Sequence, residues 1–414
     1  MTKKTLCLPL VALLWIPAMT TLPTQEGSKP ATFGDEVRFL RDYTPVVVLH
    51  DETRTAQVAV VPAWQGRVMT SAGGGKAARG YGWINEELVA SGKLRPHINA
   101  FGGEDRLWLG PEGGQFSIFF RRGDPFDLEH WQTPALIDTE PWAVAARETG
   151  RVAFRHRGRL VNYSGTALDV RIDRTVRLLD RDAAAAALGG PLPERARLVA
   201  FASENTLTNA GTAAWTRSAG LLSLWILGMF EPSPKTTIVV PFREGPEAER
   251  GPVVNDTYFG KVPADRLVTR DGVLFFSGDG RYRSKIGLSP RRARPVLGSF
   301  DAERSVLTIV AFDLPEGAAE YVNSMWEIQK DPFAGDVVNS YNDGPPAPGA
   351  KPMGPFYELE TSSPAAALAP GASLTHVHRT FHLEGETADL DAVARRVLGV
   401  SLESVRTALP SPGR

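Results

Sequence analysis

The chain has 414 residues, 46 basic against 47 acidic, and one cysteine. At 43% apolar and 22% charged it can bury a large core, which excludes wholesale disorder; the near-zero balance lacks the basic face that gripping nucleic acid requires. Its 40 glycines and 32 prolines, together about 17% against roughly 12% in average proteins, point to many short strands joined by turns.

Lys3 and Lys4 open the chain, an apolar stretch from Leu6 to Met19 follows, broken by Pro9 and Pro17, and a polar run leads from Thr20 to Pro30. That is the order of a secretory signal, so residues 1–20 are expected to be cleaved on export to the periplasm or beyond. About 14 apolar residues fall short of the ~20 that span a bilayer, so no integral membrane segment is expected in the mature chain. Cys7 lies inside this segment. The mature chain would then hold no thiol for disulfides, nucleophilic attack or metal binding.

From residue 36 onward strand-like segments dominate, each short, β-branched or aromatic, and bounded by turn residues. In order they are Val46–Leu49, Gln57–Val61, Arg106–Leu109, Phe116–Phe120, Val152–Arg155, Leu160–Asn162, Leu168–Leu178 and Leu198–Leu207. Leu221–Met229, Thr236–Pro241, Leu274–Gly278, Val306–Asp313, Phe356–Glu360 and Leu374–Leu383 continue the series. Leu168, Val170, Ile172 and Arg174 alternate with Asp169, Arg171, Asp173 and Thr175, the mark of a half-buried antiparallel strand. Leu221 to Phe230 is apolar throughout and predicts a strand covered on both faces.

Helices are few. Trp83–Leu94 ends at Gly92, Asp182–Leu188 ends at Gly189-Gly190, and Asp389–Leu398 carries apolar residues at helical spacing, with a further turn or two over Ser401–Leu409. Passages 244–252, 287–298 and 343–355 read as surface connections, and no 20–50-residue repeat marks a propeller or solenoid. The expectation is one β domain over residues 31–385 and a helical tail over 386–414 packed on it.

Common catalytic signatures are absent: no Gly-x-Ser-x-Gly, no His-Glu-x-x-His. Gly73-Gly74-Gly75-Lys76 fails as a phosphate loop, having Thr70 where the upstream glycine belongs and Ala77 after the lysine. No cofactor and no metal are expected.

Polar chemistry concentrates in three places. His97 to Trp142 holds His97, Glu104, Asp105, Arg106, Glu112 and His130 among Trp108, Trp131 and Trp142. A strand over Glu104–Leu109 would put Glu104, Arg106 and Trp108 on one face. A carboxylate and a guanidinium beside an indole suit a sugar, whose C–H face packs on the ring while its hydroxyls take charged hydrogen bonds. In Leu374–Leu383, His376, His378, Thr380 and His382 share a face that is either a site or a wet outer surface; alternate residues lie ~7 Å apart, too far for all three histidines to share one ion. In Phe356–Thr361, Glu358 and Glu360 point together, as a general base and its partner or as solvent-facing acids. Trp326 and Asn339 upstream, with the turn at Asn342-Asp343-Gly344, add groups suited to a polyol.

Two of these segments carry a family resemblance. Gly102-Gly-Glu-Asp-Arg-Leu-Trp-Leu-Gly-Pro-Glu112, and Tyr357-Glu-Leu-Glu360 followed by Ser363-Pro364 and Leu368-Ala-Pro-Gly371, resemble motifs of the galactose mutarotase-like (aldose 1-epimerase-related) superfamily, here a secreted bacterial branch. The resemblance spans about residues 35–385. It implies an all-β, galactose mutarotase-like β-supersandwich of antiparallel strands, with a few short helices, a helical tail and a carbohydrate bound on a concave face. Family epimerases use a histidine acid and a glutamate base, but their His-x-Tyr-Phe-Asn segment has no counterpart here. The acid candidates are therefore His97 and His130, and the base candidates Glu104, Glu112, Glu358 and Glu360. Arg106, Trp108, Trp131, Trp326, Asn339, Asn342 and His378 are the candidate sugar contacts. The expected function is epimerase-like acid–base chemistry on a mono- or oligosaccharide. A glycan lyase or hydrolase using the same cleft, and a non-catalytic glycan-binding protein, are the alternatives.

Overall fold

The computed structural model describes residues 31–410; the N-terminal segment with Cys7, and the expected cleavage, lie outside the described residues. Alternation builds the main sheet. Along Ala167–Leu178, Leu168, Val170, Ile172, Arg174 and Val176 are buried and their neighbours are not, so one face is sealed and the other meets water. This strand lies in a ten-stranded sheet whose spatial order is Leu267–Arg270, Val273–Ser277, Thr236–Pro241, Val296–Asp301, Val306–Phe312, Ser373–Glu384, Arg197–Asn209, Ala167–Leu178, Arg151–Val161 and Ala143–Glu148. A five-stranded sheet runs Ser284–Leu288, Val338–Asn342, Tyr357–Ser362, Ser223–Phe230 and Arg106–Gly110. All pairings in both sheets are antiparallel.

The two sheets pack face to face. Leu107, Leu224 and Ile226 meet Val170, Ile172 and Leu207; Ile286, Val338 and Leu359 meet Ile238, Val240 and Val310. The far side of the large sheet is covered by the tail helices Thr387–Leu398 and Leu402–Arg406, whose Leu390, Val393 and Leu402 pack on Phe275, Phe381 and Leu383. A three-stranded sheet, Val47–His50, Gln57–Val61 and Arg67–Ala72, sends Val58 and Val60 into the sandwich core and Ala59 against Phe33 and Val37. The fold is thus an antiparallel β-sandwich with a few short helices, as the sequence implies.

The structure departs from the sequence expectation in several elements, and the strands Arg67–Ala72, Ala143–Glu148, Leu267–Arg270 and Val338–Asn342 lie outside the expected series. Phe33–Tyr43 is a helix, started by a capping box in which Asp35 N–H donates to the Thr32 hydroxyl and Thr32 N–H to the Asp35 carboxylate. The Phe116–Phe120 segment forms no strand; after Gly113-Gly114 it turns across the smaller sheet and buries Phe119 on Trp108. Val152–Arg155 and Leu160–Asn162 merge into one strand, Arg151–Val161. The 287–298 passage is not a mere connection, because it carries the end of Ser284–Leu288 and the start of Val296–Asp301.

Candidate functional site

Period two along the smaller sheet divides its side chains. Leu107, Ile226, Leu359 and Ile286 point into the sandwich, so the residues between them face outward. Register aligns Arg106, Leu227, Glu360 and Asn339 in one cross-strand row. The next row holds Met229, Glu358, Tyr341 and Lys285, and Trp108, Trp225 and Ser362 form a third. Four discontinuous stretches of sequence thereby place two cations, two carboxyls and two indoles on one face.

Their contacts are specific. Arg106 Nη2 donates to Glu358 Oε1 at 3.0 Å, and its guanidinium lies 4.2 Å above the Trp108 ring. Glu360 Oε2 accepts from Lys285 Nζ at 3.0 Å and from Trp225 Nε1 at 2.9 Å. Burial works against the Lys285 ammonium, but Glu360, Glu112 and Glu358 together outweigh it and hold its pKa above the usual lysine value. Burial pushes the Glu358 carboxyl up to about 8, although Arg106 pulls the other way, and Glu112 up to about 7 against the pull of Lys285. Tyr258 donates to Asp336 at 2.7 Å and accepts from Asn339 at 3.2 Å. Gly287 admits this Asp336, since a Cβ there would lie 2.1 Å from its carboxylate oxygen.

Several buried atoms on this face lack any partner: Arg106 Nε and Nη1, Trp108 Nε1, Trp131 Nε1 and Glu360 Oε1. Buried polar atoms are normally satisfied, so unpartnered ones gathered on one face make it a candidate place for a ligand; the space between the sheets holds others, at Glu104 Oε1, Asp105 Oδ2, His378 Nε2 and Thr380 Oγ1. Beside them opens a cavity of ≈ 510 Å³ walled by His97, Trp131, Arg283, Tyr341 and Asp343, within the size range of small-molecule sites. A second void of ≈ 20 Å³ lies between Glu112, Trp225, Tyr258 and Lys285, room for about one water. Trp326 packs on Trp131 and Phe120 at 5.8 and 5.2 Å and helps roof the face.

The other candidates separate. His97 Nδ1 lies 2.6 Å from the Trp131 carbonyl oxygen and so donates its N–H there, leaving Nε2 as the ring nitrogen not engaged by that bond. His130 is remote from burial; its Nδ1 bonds Asp127 at 2.6 Å, a contact that raises its pKa. Glu104 precedes the Arg106–Gly110 strand and does not share the face of Arg106 and Trp108. Its Oε2 instead accepts from Ser71 at 2.8 Å and bonds His382 Nε2 at 2.9 Å. Asn342 points to the inner side, tied to Tyr282 O at 2.9 Å and Gly280 N at 2.8 Å.

The histidine row is not a wet surface. His376, His378, Thr380 and His382 are wholly buried, facing the space between the sheets, where His376 and His378 both bond the Thr361 hydroxyl at 2.8 and 2.9 Å. Burial lowers His376 to about 3 and His378 to about 4. Because Thr361 faces inward and Glu360 outward, His378 and the Glu358–Glu360 pair lie on opposite sides of the smaller sheet. Those two acids are not solvent-facing either, at 5% and 0% exposure. Lys285, Trp225, Tyr258, Asp336 and Tyr341 join the site without having been singled out. Lys285 sits in a five-residue strand beside a Gly- and Pro-rich passage, and Trp225 is hidden in an unbroken apolar run.

The model of a family of unknown function, DUF6786, matches residues 31–409. The chain belongs to this family. No curated protein matches it. Among solved structures, this DUF6786 chain is similar in fold to the Slr1438 protein of Synechocystis sp. PCC 6803, with a TM-score of 0.51, 14% identity, and 83% of this chain and 96% of the other covered. A galactose mutarotase-like protein from Lactobacillus casei ATCC 334 gives a TM-score of 0.47 at 10% identity, covering 82% and 100%. One from Clostridium acetobutylicum gives 0.45 at 10%, covering 83% and 100%. The DUF6786 site described above rests on its own residues.

Proposed function

We propose that the chain is a carbohydrate-active protein that moves protons on a sugar held against the outer face of the smaller sheet, as an epimerase does. The observation that carries this reading is the set of unpartnered buried donors and the unpartnered Glu360 oxygen on one face, flanked by Trp108 and Trp131. Glu358, kept protonated near neutral pH by burial, is the acid that would protonate the ring oxygen. Glu360, through its unpartnered Oε1, is the base that would take the anomeric hydroxyl proton. As alternate residues of one strand they face the same way, and their carboxyls come close enough for Glu360 to help raise the Glu358 pKa; a positioned acid–base pair is worth ~10²–10⁴-fold in rate. His97 Nε2 meets the sugar from the cavity wall. The basic, apolar, polar order of residues 3–30 supports export to the periplasm or medium.

A second reading, glycan binding without catalysis, is favoured by one observation: both carboxyls are buried, while the cavity is walled by Trp131 and Tyr341. Exchange NMR on a panel of α-anomers separates the two, using the mature protein, Glu360→Gln, Glu358→Gln and His97→Ala. Catalysis is expected to accelerate anomer exchange, with a loss of ~100-fold or more in Glu360→Gln while the sugar still binds. Binding without acceleration would leave the second reading standing. No interaction with any sugar would contradict both.

A further inference from the structure

The unpartnered atoms of the site are lopsided. Four are N–H donors: Nε and Nη1 of Arg106, Nε1 of Trp108 and Nε1 of Trp131. On the same outward face the unpartnered acceptor is Glu360 Oε1. The donors belong to one continuous patch, for the Arg106 guanidinium stacks 4.2 Å over Trp108 and the Trp108 and Trp131 rings are 6.3 Å apart. Trp131 is also a wall of the ≈ 510 Å³ cavity, so the patch leads from that wall to the sheet. A hydroxyl brings a donor wherever it brings an acceptor, whereas a carboxylate brings acceptors only.

We infer that the sugar bound here is acidic, with its carboxylate seated against Arg106, Trp108 and Trp131. This inference rests on the sugar reading and specifies its substrate class. Three features support it. Glu358, the carboxyl on Arg106, holds its proton near neutral pH because it is buried, so the guanidinium charge is left for the ligand. Lys285 is already committed to Glu360 at 3.0 Å, so the patch offers one positive charge, matched to a carboxylate rather than to a doubly charged phosphate. Phe119 and Trp131 stand 6.0 Å apart and 4° from parallel, which gives the patch flat walls beside a planar group. Charge-assisted hydrogen bonds to such a group are the strong ones.

Calorimetric titration tests this with glucuronate and galacturonate against glucose and galactose, alongside glucose 6-phosphate and acetate at constant ionic strength. Trp131→Phe removes one donor and keeps the ring, so it spares the fold better than any change at buried Arg106. The uronates are expected to bind at least about tenfold more tightly than their parent hexoses, and Trp131→Phe to lose about tenfold for the uronates alone. Hexoses binding as tightly as uronates would overturn the inference and leave the sugar reading intact. So would tighter binding of the sugar phosphate, or acetate matching the uronates, which would mean an adventitious anion site only. No binding by any sugar would overturn both.

Discussion

Arg174 and Arg159 lie on adjacent strands of one sheet and are held very differently. Arg174 is fully buried, donating to Asp105 at 2.7 Å and to Asn205 at 2.7 Å. Arg159 meets Asp169 on the exposed face. Removing one member of a buried pair leaves the other charge uncompensated, so Arg174→Ala is expected to lower stability by about 3–5 kcal/mol in urea denaturation. Arg159→Ala should leave the midpoint where it is. Glu358 gives a pH signature at the same scale. Its pKa is raised from 4.5 to about 8, so its contribution is fully present below pH 4.5 and is lost as pH rises toward 8, by up to ~1.4 kcal/mol per unit. Glu358→Gln keeps the neutral shape. Its melting temperature relative to wild type should therefore rise between pH 5 and pH 9, and a difference that stays constant would contradict the assignment.

At the level of elements, short β-branched runs bounded by turn residues, and the cleanly alternating Ala167–Leu178, were legible. Gln57–Val61 and Thr236–Pro241 agree residue for residue with the sequence pattern, and Ala167–Leu178 within one. The outward pairing of Glu358 with Glu360, and of Arg106 with Trp108, followed from the same period of two. What escaped has a physical reason. Ser284–Leu288 has one glycine and one lysine in five residues, a weak signal until pairing with Val338–Asn342 buries it. Phe116–Phe120 carries a strand's composition but serves as a lid of aromatics. The helix Phe33–Tyr43 has a local capping signal in Thr32 and Asp35, short and isolated among strand-rich surroundings. Thr32→Ala should cost about 1 kcal/mol. Leu390→Ala, which opens a cavity between the tail helix and the ten-stranded sheet, should cost about 2–5 kcal/mol. Denaturant titration of both variants checks the contrast between a cap and a core contact.

The whole molecule sets two polar layers back to back. Between the sheets lie Glu104, Asp105, Arg174 and the histidine row; outside the smaller sheet lie Arg106, Glu358, Glu360 and Lys285. The inner layer has its own pH signature. His376 and His378 are lowered from 6.5 to about 3 and about 4, so their contribution is present above pH 6.5 and is lost as pH falls, because the unfolded chain takes up protons that the native interior refuses. A His376→Gln/His378→Gln double variant should gain melting temperature relative to wild type on going from pH 7 to pH 5. No relative change would mean that these rings do not resist protonation. Tyr341, of the same outward row as Glu358 and Lys285, lines the ≈ 510 Å³ cavity, and the proposed chemistry is therefore placed on the outer layer.

Hydrogen exchange with and without a saturating uronate tests that assignment of place most directly. Added protection is expected in Arg106–Gly110, in Tyr357–Ser362 and around Trp131, with Ser373–Glu384 unchanged. Protection confined to Ser373–Glu384, or none beside the cavity, would contradict the account.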